Sequence, residues 1–288
     1  MPALASVTAK TIGEFINHAQ KLLPTVDIND HDHKFESNWY RGIGSTEHEL
    51  VPGLYRHPIK KSIDPLLVME REIVEDFKRQ AIFHTEKFDD ESEAAELRIL
   101  FIMQHHGIPT RLLDWSTNPL ISLYFALTSA KTINNAYTHD AAVWVLNPYK
   151  WNEHALRISK YGDIGPLNQG SFESKSYAPR RTQGRELIPQ ALSQMHEHPA
   201  AILGISNSAR MFAQRGVFTI FGRNVSSMET QFKSGGFAKD ALRKIIIPKE
   251  YIEQLLHSLI RLGFTDSLSY PDLQGVAMEI RRLRGFGG

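Results

Sequence analysis

The chain has 288 residues, a formal net charge of +1 at pH 7, 42% hydrophobic residues, 23% charged residues and no cysteine. These values describe an ordinary globular protein, long enough for one large domain or two small ones, whose net charge gives no general attraction to nucleic acid. Without cysteine the chain can form no disulfide, thiol nucleophile or thiolate metal site.

The sequence gives no sign of a membrane segment. No apolar run reaches the length needed to span a bilayer, and the first ten residues lack the basic-then-apolar order of a signal peptide. We therefore expect a cytoplasmic protein with no membrane partner.

The first predicted element is an amphipathic helix over residues 7–23, capped near Thr8 or Thr11. A polar stretch rich in Asp and His follows, but its spacing matches no defined metal loop, and we expect a solvated loop there.

Next, Trp39 and Tyr40 lead into Arg41 and Gly42, which predicts a strand end opening into a turn. An arginine beside a glycine can present a guanidinium and bare backbone to a phosphate or carboxylate. The alternative is a surface arginine beside a turn glycine. Residues 50–56 are predicted to be extended.

Two helices are predicted after this segment. The first has Asp64 as its N-cap and Pro65 at the first helical position, and it runs to about residue 84. The second runs from about residue 91 to 105 and delivers Gln104 and its neighbouring histidines to the polar stretch that follows.

That stretch, residues 104–126, reads QHHGIPTRLLDWSTNPLISLYFA and concentrates chemically active side chains. Gly107 and Pro109 end the preceding helix, and residues 111–115 predict a short, mostly buried strand. Residues 116–119 supply N-cap types and a proline for a following helix. The polar side chains therefore gather at a strand-to-helix corner, where unpaired N–H groups and the helix dipole favour an anion.

A purely structural interpretation of this corner remains open. Ser116 and Thr117 can serve only as helix caps, and Arg111 and Asp114 can form a structural ion pair.

Later strands are predicted at residues 141–146, 200–205, 216–221 and 244–247, with helices at residues 209–215, 249–262 and 271–283. The strand at 141–146 is ended by Asn147 and Pro148. Residues 160–198 show weak periodicity, and a loop of this length tends to be functional or mobile.

The chain contains no internal repeat and no linker rich in Gly or Ser, which predicts a single domain over residues 1–288 with its core at about 9–284. The predicted fold class is α+β, with a mixed sheet of about five to seven strands and helices toward both termini.

Several common site motifs are absent from the sequence. It contains no Walker phosphate loop, no G-x-G-x-x-G, no H-E-x-x-H and no G-x-S-x-G. His105 and His106 are neighbours and would point about 100° apart on a helix, so they cannot easily bind one ion. We expect no metal.

Several segments together resemble one family. They are Tyr40-Arg41-Gly42 with downstream Leu54 and Arg56, the run from Gln104 to Trp115, and Asn118-Pro119 ahead of Tyr124-Phe125-Ala126. This pattern resembles the FRG domain, a family named for an aromatic-Arg-Gly signature. Gln214-x-Gly216-x-Phe218-Thr219 and Pro271-Asp272-Leu273-x-Gly275 are similar to that family's later motifs, so the resemblance spans residues 9–284.

The motif order is also similar to that of the ADP-ribosyltransferase superfamily, which implies a split sheet with NAD as substrate. By this resemblance the cofactor-binding residues are Tyr40, Arg41, Gly42, Gln104, Arg111, Ser116, Thr117 and Gln214. Arg41 would hold an NAD phosphate or ribose, and Ser116 and Thr117 would shape the nicotinamide-ribose pocket. His106 or Asp114 would supply acid–base catalysis.

The sequence departs from that superfamily at one position. Gly216 stands where the catalytic Glu is expected, so the main electrostatic aid to transfer is missing unless Asp114 or Glu186 replaces it. Two hypotheses follow. The chain transfers ADP-ribose to a protein or nucleic acid, as a toxin or phage-defence effector, or it is a non-catalytic module that senses a nucleotide or partner.

Overall fold

A computed structural model describes residues 4–23, 37–81, 92–134, 136–157, 165–184, 186–188, 190–204 and 208–286. The strands are β1 Ser6–Thr8, β2 Trp39–Ile43, β3 Leu112–Ser116, β4 Thr132–Ile133, β5 Ala136–Tyr137, β6 Ala141–Leu146, β7 Thr182–Gln183, β8 Glu186–Leu187, β9 Ala200–Ile202, β10 Gly216–Ile220 and β11 Leu242–Ile247. The α-helices are α1 Ile12–Lys21, α2 Ile63–Gln80, α3 Glu93–His105, α4 Pro119–Thr128, α5 Pro148–Ala155, α6 Ala209–Ala213, α7 Met228–Ser234, α8 Ile252–Arg261, α9 Asp266–Ser269 and α10 Leu273–Leu283. No helix within these described ranges is long and apolar enough to cross a bilayer.

Seven strands form one mixed sheet in the order β1-β11-β6-β2-β3-β10-β9. All neighbours are antiparallel except β1 and β11, which are parallel. Two small hairpins, β4–β5 and β7–β8, lie outside this sheet. The predicted α+β class is confirmed, with a mixed sheet and helices at both ends of the chain.

Apolar side chains pack against both faces of the sheet. Along β6, Trp144 belongs to a buried cluster with helices α5 and α7, whereas Val143 and Val145 belong to a cluster with α1, α4 and α8. A third cluster packs α3 against β3, β9 and β10. This alternation follows from the two-residue period of a strand.

The sheet is split at its centre. β2 and β3 share a single pair of Cα partners, Tyr40 and Ser116, whereas β2 and β6 share five. Beyond that pair β2 and β3 separate, and the opening between them exposes side chains of both strands.

Several predicted boundaries are wrong at the N-terminal side. The helix predicted over 7–23 begins only at Ile12, because Thr11 caps it by accepting from the Glu14 N–H at 3.1 Å. Ser6–Thr8 pairs instead with β11, far along the chain. The N-cap of α2 is Ser62, which moves the predicted cap Asp64 into the first turn. The segment predicted to be extended contains a 3₁₀ turn at Leu54–Arg56.

Five other elements differ from prediction. Asn147 and Pro148 end β6 but also begin α5, because the Asn147 side chain accepts from the Lys150 N–H at 3.0 Å. Helices α7 and α9 were not predicted. Within the segment predicted to be irregular, the described residues include a 3₁₀ helix at Phe172–Tyr177 and the β7–β8 hairpin, while residues 160–164 lie outside the described ranges.

Candidate functional site

A cleft of about 410 Å³ opens where β2 and β3 separate. This volume lies in the range of pockets that hold small ligands and cofactors. Its polar and aromatic lining comes from β2, the loop after it, α3, β3, α4, α6, β10 and the residue after α9. These lining side chains include Tyr40, Arg41, His48, Glu49, Arg56, Gln104, His105, Asp114, Ser116, Phe125, Arg210, Gln214 and Tyr270.

A chain of hydrogen bonds positions the Asp114 carboxylate. Gln104 Nε2 donates to Asp114 Oδ2 at 2.8 Å, and Thr110 Oγ1 donates to Gln104 Oε1 at 2.7 Å. The Thr110 hydroxyl oxygen in turn accepts from the Leu112 N–H at 3.0 Å. The Thr110 proton therefore goes to the Gln104 oxygen, which fixes the amide so that its NH₂ group faces Asp114.

Arg41 spans the opening between the separated strands. Its Nη1 donates to the Asp114 carbonyl oxygen at 2.6 Å and lies 3.8 Å from Asp114 Oδ2. Burial lowers the pKa of Arg41, the Asp114 charge offsets part of this, and Arg56 lowers it further. Arg41 therefore contacts both the backbone carbonyl and the side-chain carboxylate of Asp114.

Positive charge exceeds negative charge in the cleft. Arg41, Arg56 and Arg210 line it against the carboxylates Glu49 and Asp114, so three guanidinium charges face two carboxylate charges. Guanidinium groups suit phosphate because their planar donors can bind two oxygens at once. An anionic ligand would therefore neutralise the excess positive charge of the cleft.

Two histidines of the cleft are held neutral at pH 7. Burial lowers the pKa of His48, as do the charges of Arg56 and Lys131. Burial also lowers the pKa of His105, helped by His106 and Arg210. Both imidazoles can accept a proton if an anion enters the cleft.

One wall of the cleft is aromatic. The rings of Phe125 and Tyr270 meet edge to face with centroids 6.1 Å apart, and the Arg210 guanidinium lies 4.4 Å from the Tyr270 ring centroid. Both rings are only partly buried. This wall offers apolar surface to a planar group beside the charged part of the cleft.

The N-terminus of α4 does not supply the predicted anion site. Pro119 has no N–H, and the Asn118 side chain accepts from the N–H groups of Leu120 and Ile121 at 2.9 and 3.3 Å. The Ser116 hydroxyl donates to the Gln214 carbonyl at 2.7 Å and accepts from the Asn118 N–H. The donors of the first turn are therefore already bonded within the chain, and the charge for an anion comes from the arginines.

The structure gathers most of the predicted site residues in the cleft. Seven of them line it: Tyr40, Arg41, Gly42, Gln104, Asp114, Ser116 and Gln214. Gly42 has a packing reason for its identity, because a Cβ there would lie 1.9 Å from the Ser122 carbonyl oxygen of α4. The Gln214 side chain is bound to the Ser269 carbonyl at 3.0 Å.

Arg111 does not join the predicted cleft. Its side chain is fully buried, its Nε donates to Glu70 Oε1 at 2.8 Å, and its Nη atoms donate to the carbonyls of Phe221 and Tyr177 at 2.7 Å. Burial alone would lower the pKa of Arg111, but Glu70, Tyr55 and Tyr177 together more than reverse this and the pKa is raised. The alternative of an Arg111–Asp114 ion pair is wrong, because Arg111 pairs with Glu70 inside the core.

His106 and Thr117 also lie outside the cleft lining. His106 is exposed at the C-cap of α3, and its neighbour His105 faces the cleft, because adjacent helical residues point in different directions. The Thr117 N–H is bonded to the Arg215 carbonyl at 3.1 Å.

Sequence reasoning missed several cleft residues. His48 and Glu49 lie in no motif, and Phe125, Arg210 and Tyr270 reach the site only through tertiary packing. Arg56 and Phe125 both belong to the motifs that carry the family resemblance, and this membership is the signal that could have identified them.

The two predicted substitutes for a missing Glu are placed differently. Gly216 lines the cleft and pairs across the sheet with Ser116. Asp114 lies two residues from Ser116 on β3 and faces the same cleft, whereas Glu186 lies in the β7–β8 hairpin and lines another cavity. Only Asp114 is close enough to act at this site.

These features define an α+β protein whose split sheet holds a charged cleft with an aromatic wall. Residues 36–135 match the family model of the FRG domain. The matched range is shorter than the 9–284 expected, and it contains Arg41, Gln104 and Asp114 but not Arg210 or Tyr270. Searches of curated proteins and of solved structures gave no match. In the described part of the chain, no group of three or more His, Asp or Glu side chains is arranged to hold a metal ion.

Proposed function

We propose that the cleft binds NAD and that the protein cleaves the nicotinamide–ribose bond, passing ADP-ribose to a protein, a nucleic acid or water. The observation that carries the proposal is the position of Arg41 and Asp114, 3.8 Å apart across the opening of a split sheet. Such an activity suits a toxin or phage-defence effector acting in the cytoplasm.

The cleft offers a group for each part of this reaction. Arg56 and Arg210 provide charge for the pyrophosphate, and the wall formed by Phe125 and Tyr270 provides a surface for a planar ring. When the bond breaks, its electron pair leaves with nicotinamide and positive charge develops on the ribose. The Asp114 carboxylate stabilises that charge, and the acceptor oxygen or nitrogen then bonds to the ribose carbon and loses its proton.

A second function is favoured by Gly216, which lacks any carboxylate at the position where the superfamily has its Glu. The cleft would then bind a nucleotide or a partner without turning it over. Asp114 supports the first function and Gly216 the second, and the following predictions separate them.

Replacing Arg41 by Ala is expected to weaken NAD binding by about 10- to 150-fold, the loss of a charge-assisted contact of ~1.5–3 kcal/mol. Calorimetric titration with NAD, ADP-ribose and ATP measures this. Arg98→Ala, an exposed arginine on α3, is the matched control and should bind as the unaltered chain does. If none of the three nucleotides binds the unaltered chain, the cleft is not a nucleotide site.

Binding of NAD is expected to strengthen as the pH falls from 7 toward 5.5. The pKa of His48 and of His105 is lowered in the free cleft, and an adjacent pyrophosphate would raise both, so binding takes up protons in this range. The double variant His48→Gln/His105→Gln should show a flatter profile. An affinity that weakens on acidification would contradict the placement of the pyrophosphate near these rings.

The variant Gly216→Glu distinguishes NAD cleavage by the natural chain from nucleotide binding without turnover. A Cβ at this position meets nothing closer than the Met211 carbonyl oxygen at 3.6 Å, so a side chain fits. Under our proposal the unaltered chain already releases nicotinamide, and Gly216→Glu gains no more than Gly216→Gln does. Nicotinamide release that appears only in the Glu variant would assign the natural chain to the sensing function.

A further inference from the structure

Helix α10 turns its polar face toward the rest of the protein and its apolar face toward solvent. Its inner face, turned toward α9, carries polar groups: Arg282 donates to both Asp266 oxygens at 2.9 and 3.2 Å, and Glu279 accepts from the Ser267 N–H at 3.1 Å. Gly275 is the only buried residue of the helix among those described. The hydrophobic effect would normally turn the opposite face inward.

The outer face of α10 is an apolar stripe at helical spacing. Its members are Leu273, Val276, Ile280 and Leu283, which are 86%, 43%, 55% and 64% exposed. Phe286, just beyond the helix, is 74% exposed. Single exposed apolar residues need no explanation, but a contiguous row along one helix marks an interaction surface.

The length of α10 gives a second reason to expect a partner. The helix has 11 residues, and isolated helices shorter than ~12–15 residues are marginal in water. Burial of the apolar stripe would supply the stability that contacts with the short helix α9 do not.

The charges at the two ends of α10 favour a second copy of this chain. Asp272 caps the first turn, while Arg281 and Arg284 at the other end form no ion pair with any residue that the structure describes. An antiparallel pair of α10 helices would place Leu273 of one copy against Leu283 of the other, and Val276 against Ile280. The acidic end of each helix would meet the basic end of its partner, and the two helix dipoles would oppose each other favourably.

We propose that the protein forms a two-fold symmetric dimer through antiparallel packing of α10 on α10. Because Gly275 packs tightly against Tyr270, the dimer contact also supports a residue of the cleft wall. This inference does not depend on the reaction proposed for the cleft.

Sedimentation velocity over a range of concentrations tests the proposal. The unaltered chain should sediment at twice its 32.7 kDa mass. Ile280→Asp should weaken association by about 100-fold or more, because it buries a carboxylate at the centre of the contact. Ile59→Asp changes an 84% exposed residue in the loop before α2, and this control should remain dimeric. Since both positions are exposed in the single chain, both variants should fold with the circular dichroism of the same domain, and only Ile280→Asp should lower Tm, by the stability that the dimer contact gives to α10.

The charge arrangement has its own test. Arg281→Glu/Arg284→Glu should weaken the dimer by about tenfold through repulsion from Asp272 of the other copy. Mixing it with Asp272→Lys should restore association as a mixed dimer. An unaltered chain that stays monomeric at every concentration would overturn the proposal, as would Ile280→Asp remaining fully dimeric. A monomer that floats with phosphatidylserine vesicles would also overturn it and assign the stripe to a lipid surface.

Discussion

Replacing Glu70 by Ala is expected to lower the free energy of unfolding by about 3–5 kcal/mol. Glu70 and Arg111 are 1% and 0% exposed in their side chains and are joined at 2.8 Å. Without the carboxylate, the Arg111 guanidinium would remain buried with only carbonyl partners. Urea denaturation followed by circular dichroism measures the change.

The control is Glu72→Ala, an exposed position on the same helix, which should change stability by less than about 0.5 kcal/mol. The double variant Glu70→Leu/Arg111→Met should recover part of the loss, because it removes the unpaired charge but leaves two carbonyls unbonded. A loss below about 1 kcal/mol for Glu70→Ala would show that the Glu70–Arg111 ion pair does not stabilise the segment before β3.

The second large effect is expected at Asp114. Asp114→Asn should reduce nicotinamide release by about 10²- to 10⁴-fold while leaving NAD affinity nearly unchanged. The amide keeps the size of the carboxylate but removes the charge that stabilises the developing positive charge on the ribose. Single-turnover assays with the protein in excess over NAD measure the cleavage step, and calorimetric titration measures the affinity.

Glu49→Gln is the matched variant, since Glu49 is the other carboxylate of the cleft. It should retain most of the activity. If Glu49→Gln loses activity and Asp114→Asn does not, the reaction centre lies on the other side of the cleft. If both variants remain fully active, neither carboxylate takes part.

The elements predicted correctly are those determined by local patterns. The continuous apolar run of β6 predicts a buried strand, and Asn118 followed by Pro119 predicts the start of α4. The strand-to-helix corner at β3 is also local, and it brings Gln104, Asp114 and Ser116 to the cleft as expected. In each case the sequence pattern that identifies the element lies within a few residues along the chain.

The predictions that were wrong depend on partners distant in sequence. Arg111 looked like a cleft residue, but Glu70 lies 41 residues before it and Phe221 lies 110 residues after it. Ser6–Thr8 forms a strand only because β11 lies beside it. No local pattern places Tyr270 on Phe125 or Arg210 on Tyr270, because these three residues are far apart in sequence.

The central claim is that the protein cleaves NAD in the cleft between β2 and β3. The most direct measurement incubates the purified chain with NAD labelled in its ADP-ribose part, alone and with cell lysate, and follows nicotinamide release and transfer of label. We expect nicotinamide release from the unaltered chain, label on protein or nucleic acid when lysate is present, and neither with Arg41→Ala or Asp114→Asn. NAD that stays intact with every acceptor pool would contradict the claim and leave the cleft as a binding site.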